Sequence, residues 1–225
     1  MLTGSPEPVF LCFFTLNMET DSFLTIENPS EGLFKDKGSR FLSFAFPVRN
    51  EDRIHEILDK LQKDYHDARH HCYAWKLGMD MGHFRTHDDG EPGNSAGKPI
   101  FGQIQAFQLT NVLIVVVRYF GGTLLGVGGL MQAYKSASMD ALNNAKIIKQ
   151  YIYSTYKLNF RYEDINMVMK VIKDMDLEQW GQKFELECEL MLKIRVSKEQ
   201  ELLDAFRLNS SVKVGKIEQS KRLLH

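Results

Sequence analysis

Residues 88–137, DDGEPGNSAGKPIFGQIQAFQLTNVLIVVVRYFGGTLLGVGGLMQAYKSA, carry the reading that decides the fold. An acidic loop broken by Gly and Pro precedes an apolar, β-branched run, and a second glycine-rich loop precedes a long helical pattern. The run 111–117 (NVLIVVV) shows no polar alternation, so both faces of that strand must be covered and it belongs at the centre of a sheet. Nine of the sixteen glycines fall between Gly90 and Gly129. Glycine costs backbone entropy and is useful where φ is positive or another group approaches closely, so the clustering marks the two loops as a site.

Upstream, 22–26, the stretch around Leu33 and Phe34, and 40–48 have strand composition, with turn-forming residues at 27–32 and 37–39. Asn50, Glu51 and Asp52 open a helix with a cap and an acidic first turn, and Ile54, Ile57, Leu58, Leu61 and Tyr65 give it one buried face. A strand over 71–77 follows. Residues 79–97 lack an apolar period and are expected to be irregular, a loop length that is more often functional than not. Pro99 suits a first helical turn, with Ile100, Ile104 and Phe107 on one face. Leu130, Tyr134, Ala137, Ala141 and Ala145 mark the long helix.

Beyond Gln150 the pattern changes. It gives a strand over 151–161, a helix over 163–175, two strands within 178–196, a helix opened by a capping box at Ser197 and Gln200 and ending near Leu208, and a strand over 212–218. The order β-α-β-β-α-β is that of a ferredoxin-like domain. The expected fold class is therefore α+β. Residues 1–17 are expected to be an N-terminal extension, 18–149 a mixed β-α domain and 150–225 the ferredoxin-like domain.

With 44% hydrophobic and 25% charged residues in 225, the chain is an ordinary globular protein. Net charge is −1, and neither half carries a basic excess: 15 Lys/Arg face 17 Asp/Glu through Gln150, and 13 face 12 after it. That balance excludes a composition-driven nucleic-acid binder. Three widely spaced cysteines with no CxxC pair exclude a disulfide framework and favour a reducing cytoplasm. The apolar stretch 9–16 (VFLCFFTL) is too short to span a bilayer and has no basic residue before it, so neither anchor nor signal peptide is expected.

Arg118 ends the buried strand and leads into Tyr119, Phe120, Gly121 and Gly122. At a strand C-terminus feeding a helix, backbone N–H groups and a guanidinium can converge on an anion. The alternative is that Arg118 pairs with Asp88, Asp89 or Glu91 and locks the acidic loop; both stay open at this stage. There is no GK[ST] of a P-loop, and Gly126-Val127-Gly128-Gly129 lacks the last glycine of a dinucleotide fingerprint, so no cofactor is expected. His66, His70, His71, His83 and His87 precede the acidic loop without an HExxH context, and no metal is expected. His71 and Cys72 are adjacent strand residues pointing to opposite faces, so they form no catalytic dyad. No catalytic set is assigned; the expected ligand-binding residues are Asp88, Asp89, Glu91, Lys98, Arg118, Tyr119, Phe120, Gly121, Gly122, Gly126, Gly128 and Gly129.

At DDGEP, AGKPI and RYFGGTLLGVGGL the sequence resembles the Impact/YigZ family over about residues 18–225. The resemblance implies a first domain with the β-α fold of ribosomal-protein and elongation-factor domains, followed by the ferredoxin-like domain of bacterial members. It implies signature surfaces at residues 88–92 and 118–122. Where many relatives have Ser-Gly-Thr after the proline this chain has Gly93, Asn94 and Ser95, and Gln132 stands where many have Arg. Eukaryotic relatives act in translational control by binding a partner of an initiation-factor kinase through an additional N-terminal domain, an interaction not expected here. The expectation is a non-enzymatic, cytoplasmic regulatory protein, translation-related, with RNA, the ribosome or a protein as partner and no membrane. The alternative is an enzyme acting on a small anionic substrate between the 88–98 and 118–129 loops.

Overall fold

The computed structural model describes residues 21–79 and 82–217. The expected extension at 1–17 lies outside the described residues. The chain divides into two compact units, one over Ser22–Ile152 and one over Tyr153–Lys216, to which Asp21 also belongs.

The first unit contains β1 (Ser22–Ile26), β2 (Ser30–Asp36), β3 (Ser39–Pro47), α1 (Glu51–Asp64), β4 (His70–Lys76), β5 (Phe84–His87), α2 (Gly97–Ala106), β6 (Val112–Tyr119), α3 (Gly126–Asn143) and β7 (Ile147–Tyr151). Five strands form one antiparallel sheet in the order β2-β3-β6-β4-β5. The expected central strand is β6. Its alternate residues Val112, Ile114 and Val116 pack with α2 and α3, while Leu113, Val115 and Val117 pack on the opposite face with Ile54, Ile57 and Leu61 of α1. A continuous apolar run is what a strand covered on both sides requires.

Local chemistry sets the helices. Asn50 caps α1 by accepting the Arg53 N–H at 2.9 Å, with Glu51 and Asp52 in the positive first turn. Ala133, Ala137 and Ala141 let α3 lie close on the sheet, where Ser43 Oγ donates to the Ala137 carbonyl at 2.6 Å and Ser30 Oγ to the Ala141 carbonyl at 2.8 Å. A Cβ at Gly32 would stand 2.4 Å from the Ala141 nitrogen, so α3 and β2 meet backbone to backbone there. Asp140 also accepts the Leu33 N–H at 2.8 Å, which covers part of a sheet edge.

Two sequence expectations fail here and one shifts at its boundary. Residues 84–87, expected within a loop, form the edge strand β5; its four residues are exposed and so carry no apolar period. The strand expected over 151–161 is β8 (Tyr153–Arg161), which opens the second unit, while Tyr151 ends a separate strand, β7, that pairs with β1. The capping box at Ser197 is not made, because its N–H and hydroxyl both go to Asp21, at 3.0 and 2.7 Å. Arg195 completes that cluster at 2.9 Å and holds the buried Asp21 carboxyl well below the usual carboxylate range.

The second unit continues with α4 (Ile165–Asp174), β9 (Glu178–Lys183), β10 (Glu187–Arg195), α5 (Glu199–Phe206) and β11 (Lys213–Ile217). Its sheet order β11-β8-β10-β9 is the ferredoxin-like arrangement, with Leu158, Leu190 and Leu192 packed against Val168, Ile172, Leu202 and Phe206 of the helices.

Gly32→Ala should force α3 off β2 and destabilise the first unit by about 1–3 kcal/mol, read as a lower denaturation midpoint with unchanged slope.

Candidate functional site

The acidic loop after β5 is organised by Asp88. Its carboxylate accepts the N–H groups of Asn94 (2.8 Å), Ala96 (2.9 Å) and Gly97 (2.8 Å). It thereby caps α2, whose own N-cap residue, Ala96, has no side-chain acceptor. Burial alone would raise the Asp88 pKa, but the three N–H donors, Gly97 foremost, outweigh it and hold the carboxyl below its ordinary value. Asp89 adopts the left-handed region (φ 42°), and its carboxylate accepts the His71 N–H at 2.6 Å. The Glu91 N–H donates to the Asp88 carbonyl at 2.9 Å and closes the turn.

That turn sends the Glu91 side chain inward to Arg118. Arg118 pairs with His70 and Phe41 across the sheet, so its side chain takes the α2/α3 face. Its Nη1 lies 2.6 Å from Glu91 Oε1, and the two side chains are only 6% and 4% exposed. Tyr134 from α3 donates to the same carboxylate oxygen at 2.7 Å. The guanidinium lies between the rings of Phe41 (5.4 Å) and Phe120 (5.6 Å). Cys72 stands beneath, donating to the Asp88 carbonyl at 3.0 Å and 3.3 Å from the Tyr134 hydroxyl. Burial, reinforced by the neighbouring carboxylates, pushes the Cys72 thiol far up, and burial likewise pushes up the Tyr134 phenol. Neither is a nucleophile or base at neutral pH.

The second glycine loop closes over this pair. Gly121 donates its N–H to Ser39 Oγ at 3.1 Å, and a Cβ there would stand 1.9 Å from the Gly38 carbonyl carbon. Gly122 (φ 86°) and Gly126 (φ 73°) need the left-handed region. Gly129 is crowded by Leu125. Gly128 differs: a Cβ there would meet nothing, and its φ is not positive. Outside the pair the loop is open. Phe120 is 48% exposed and Leu124 82%, with Val127 and Met131 exposed beside them, and the first turn of α3 has neither a side-chain cap nor an acidic residue.

Of the residues expected to form the site, Asp88, Glu91, Arg118, Phe120 and Gly121 are brought together. Tyr119 faces the other side of the sheet, where it donates to Asp67 at 2.7 Å under the Arg40 guanidinium. Lys98 is exposed on the first turn of α2 and makes no hydrogen bond or ion pair with a described residue. Of the two readings for Arg118, the ion pair is formed, with Glu91 rather than Asp88 or Asp89. The histidines are dispersed: His70 Nδ1 lies 2.8 Å from the Asp89 carbonyl, His83 pairs with Glu51, and His87 stacks on Tyr73. Tyr134 and Cys72 were not foreseen as parts of the cluster. Tyr134 carried a signal, a hydroxyl on an otherwise alanine-lined helix face that needs an internal acceptor.

Glu91→Gln should cost about 3–5 kcal/mol of stability, because it leaves the Arg118 charge buried without its counter-ion; calorimetry measures it. Asp88→Asn should cost about 0.5–2 kcal/mol at neutral pH through the lost cap. The folded Asp88 carboxyl titrates below its unfolded value of about 3.9, so its stabilisation is complete above that pH and disappears as pH falls through the folded value. The variant should show a shallower acid limb than the wild type in a pH series of denaturation midpoints.

Comparison with known proteins bears on this geometry. The family model described as the Impact N-terminal domain matches residues 37–142, the span holding both loops. An IMPACT family member of Haemophilus influenzae is 34% identical over 163 residues, 70% of this chain and 78% of its own. The IMPACT family member YigZ of Escherichia coli is 30% identical over 158 residues, 69% of this chain and 78% of its own. A crystal structure of a hypothetical protein superposes with TM-score 0.64 at 28% identity, covering 89% of this chain and 99% of that one. With the matched span centred on the Glu91–Arg118 cluster and two relatives aligned over most of their length, the chain belongs to the IMPACT family.

Proposed function

We propose that the chain is a non-enzymatic, cytoplasmic regulatory protein of translation that associates with the ribosome, using the outer surface of the 118–131 loop and helix start. One observation carries this reading. The carboxylates and the thiol of the site each have an internal partner, although His71 Nε2, Ser95 Oγ and Arg118 Nε are buried without one among the described residues, whereas the surface just outside is apolar and exposed. The Asp88 and Asp89 carboxylates hold backbone N–H groups, Glu91 holds Arg118 and Tyr134, and the Cys72 thiol is sealed and protonated. An enzyme using Asp88, Asp89 or Glu91 as acid or base would first have to break the contacts that build the loop.

What remains for recognition is Phe120, Leu124, Val127 and Met131 around an uncapped helix N-terminus. Exposed apolar side chains beside oriented N–H donors suit a partner presenting apolar and anionic groups together. The family resemblance, which implies eukaryotic members acting in translational control, supplies the setting. Among the described residues no helix is long and apolar enough to cross a membrane.

Gly128 provides a test that leaves the fold intact. Its Cβ position is open, so Gly128→Glu should fold and gain up to about 1 kcal/mol from helix propensity and the helix dipole. It should also remove co-sedimentation with ribosomes at low salt by placing a carboxylate on the recognition surface. Wild-type-like sedimentation of the variant, or none by the wild type, rejects the proposal.

A further inference from the structure

We infer that the ferredoxin-like unit carries a second, separate surface, for single-stranded RNA, on the open face of its sheet. The inference rests on the translation reading only for the choice of RNA. Residues 153–217 contain eleven Lys/Arg and eleven Asp/Glu, a balance that conceals a segregation. On β8 and β10, Ser154, Tyr156, Leu158, Phe160, Cys188, Leu190, Leu192 and Ile194 are buried, so the intervening residues occupy the face away from the helices. Lys157, Arg161 and Lys193 lie on that face, joined from the edge strands by Lys183 and Lys213, against Glu178, Glu187 and Glu189. Segments 162–176 and 197–209, which supply the helices on the other side, hold seven acids against four bases. The sheet face is the positive side of a neutral unit.

Two pairings on that face are readily displaced. Lys157 reaches Glu189 at 2.9 Å and Lys193 reaches Glu178 at 3.1 Å, both across strands and partly in solvent. Such pairs contribute about 0–1 kcal/mol, little enough for phosphates to compete. Lys183, across the strands from Glu189, and Lys213 have no ion pair or hydrogen bond within bonding distance among the described residues; with Arg161 they line one cleft of about 750 Å³, where Glu185, Glu187 and Glu189 stand beside them. That volume lies within the ~300–1,000 Å³ range of small-molecule sites, enough for a nucleotide.

The same face presents aromatic rings. Trp180 is opposite Met191 and 42% exposed, with no aromatic or cationic partner among the described residues. Tyr153, 40% exposed, has Lys193 Nζ 4.7 Å from its ring centroid. Gly181 (φ 63°) sits in the irregularity between the Trp180 and Lys183 registers, where the edge strand turns; Lys183 lines the cleft and Trp180 stands outside it on the same face of the sheet. An open four-stranded sheet with exposed rings among basic side chains is suited to single strands, whose unstacked bases lie on the rings while phosphates meet the cations.

Fluorescence anisotropy of a labelled single-stranded RNA of about 12 nucleotides, with the full chain, tests the surface. The wild type should bind at low salt with affinity falling as salt rises. Lys183→Glu with Lys213→Glu should weaken binding about tenfold or more and flatten the log–log salt slope by about 1.4, the loss of two phosphate contacts. Trp180→Ala should weaken binding about fivefold or more without changing that slope. Gly128→Glu should leave RNA affinity unaltered, which separates this surface from the ribosome-binding proposal. Ribosome co-sedimentation without RNA affinity, or equal RNA affinity in all variants, overturns the RNA surface and leaves the regulatory reading standing.

Discussion

A single buried ion pair organises the first unit. Arg118 can sit at the end of a strand enclosed on both faces only because Glu91 is delivered to it, and Glu91 is delivered only because Asp88 and Asp89 fold their loop back on the sheet. Desolvating a guanidinium and a carboxylate is costly, and the cost is offset where further hydrogen bonds satisfy both ions. Tyr134 supplies one to the Glu91 oxygen; on the other ion Arg118 Nε is buried without a hydrogen-bond partner among the described residues, and the rings of Phe41 and Phe120 lie against the guanidinium. The pair therefore ties the β5–α2 loop, the end of β6 and the middle of α3 into one arrangement.

Strand direction explains why both glycine-bearing loops reach the same place. β5 and β6 are each antiparallel to β4, so their C-terminal ends lie at the same end of the sheet, and α2 and α3 both start there. Two helix N-termini lie at that end, and they are treated differently. Asp88 neutralises the first. The second begins with glycines and stays open to solvent beside exposed apolar side chains. A surface with that asymmetry has a closed, structural half and an exposed half, although the motifs of both halves are adjacent in the fold.

The two units also divide the labour of charge. Around Arg118 the positive charge is cancelled internally by Glu91, so the pair itself adds no net charge to that region. In the ferredoxin-like unit, strand alternation and the placement of acids on the helical side separate charges that balance in the total. A net charge near zero is thus compatible with a basic face, because the β period of two sorts neighbouring residues onto opposite sides.

Much of this was legible in the residues alone. The unbroken apolar run at 112–117 dictates a strand covered twice, the Asn50 cap and acidic turn dictate where α1 begins, and alternating burial in β8 and β10 follows from their composition. The edge strand β5 was not legible, since exposed Phe84, Arg85, Thr86 and His87 carry no core pattern and pair only because β4 is beside them. Ser197 carried a helix-start signal that a distant carboxylate, Asp21, took over. The choice among Asp88, Asp89 and Glu91 for Arg118 was equally beyond the sequence. All three are acidic and within one turn, and which one points inward depends on the left-handed backbone at Asp89 and Gly90 and on the space beneath α3. Local propensity and periodicity are properties of neighbouring residues and can be read from their order; the partner of a buried charge is settled by which groups the assembled sheet and helices bring within hydrogen-bond distance.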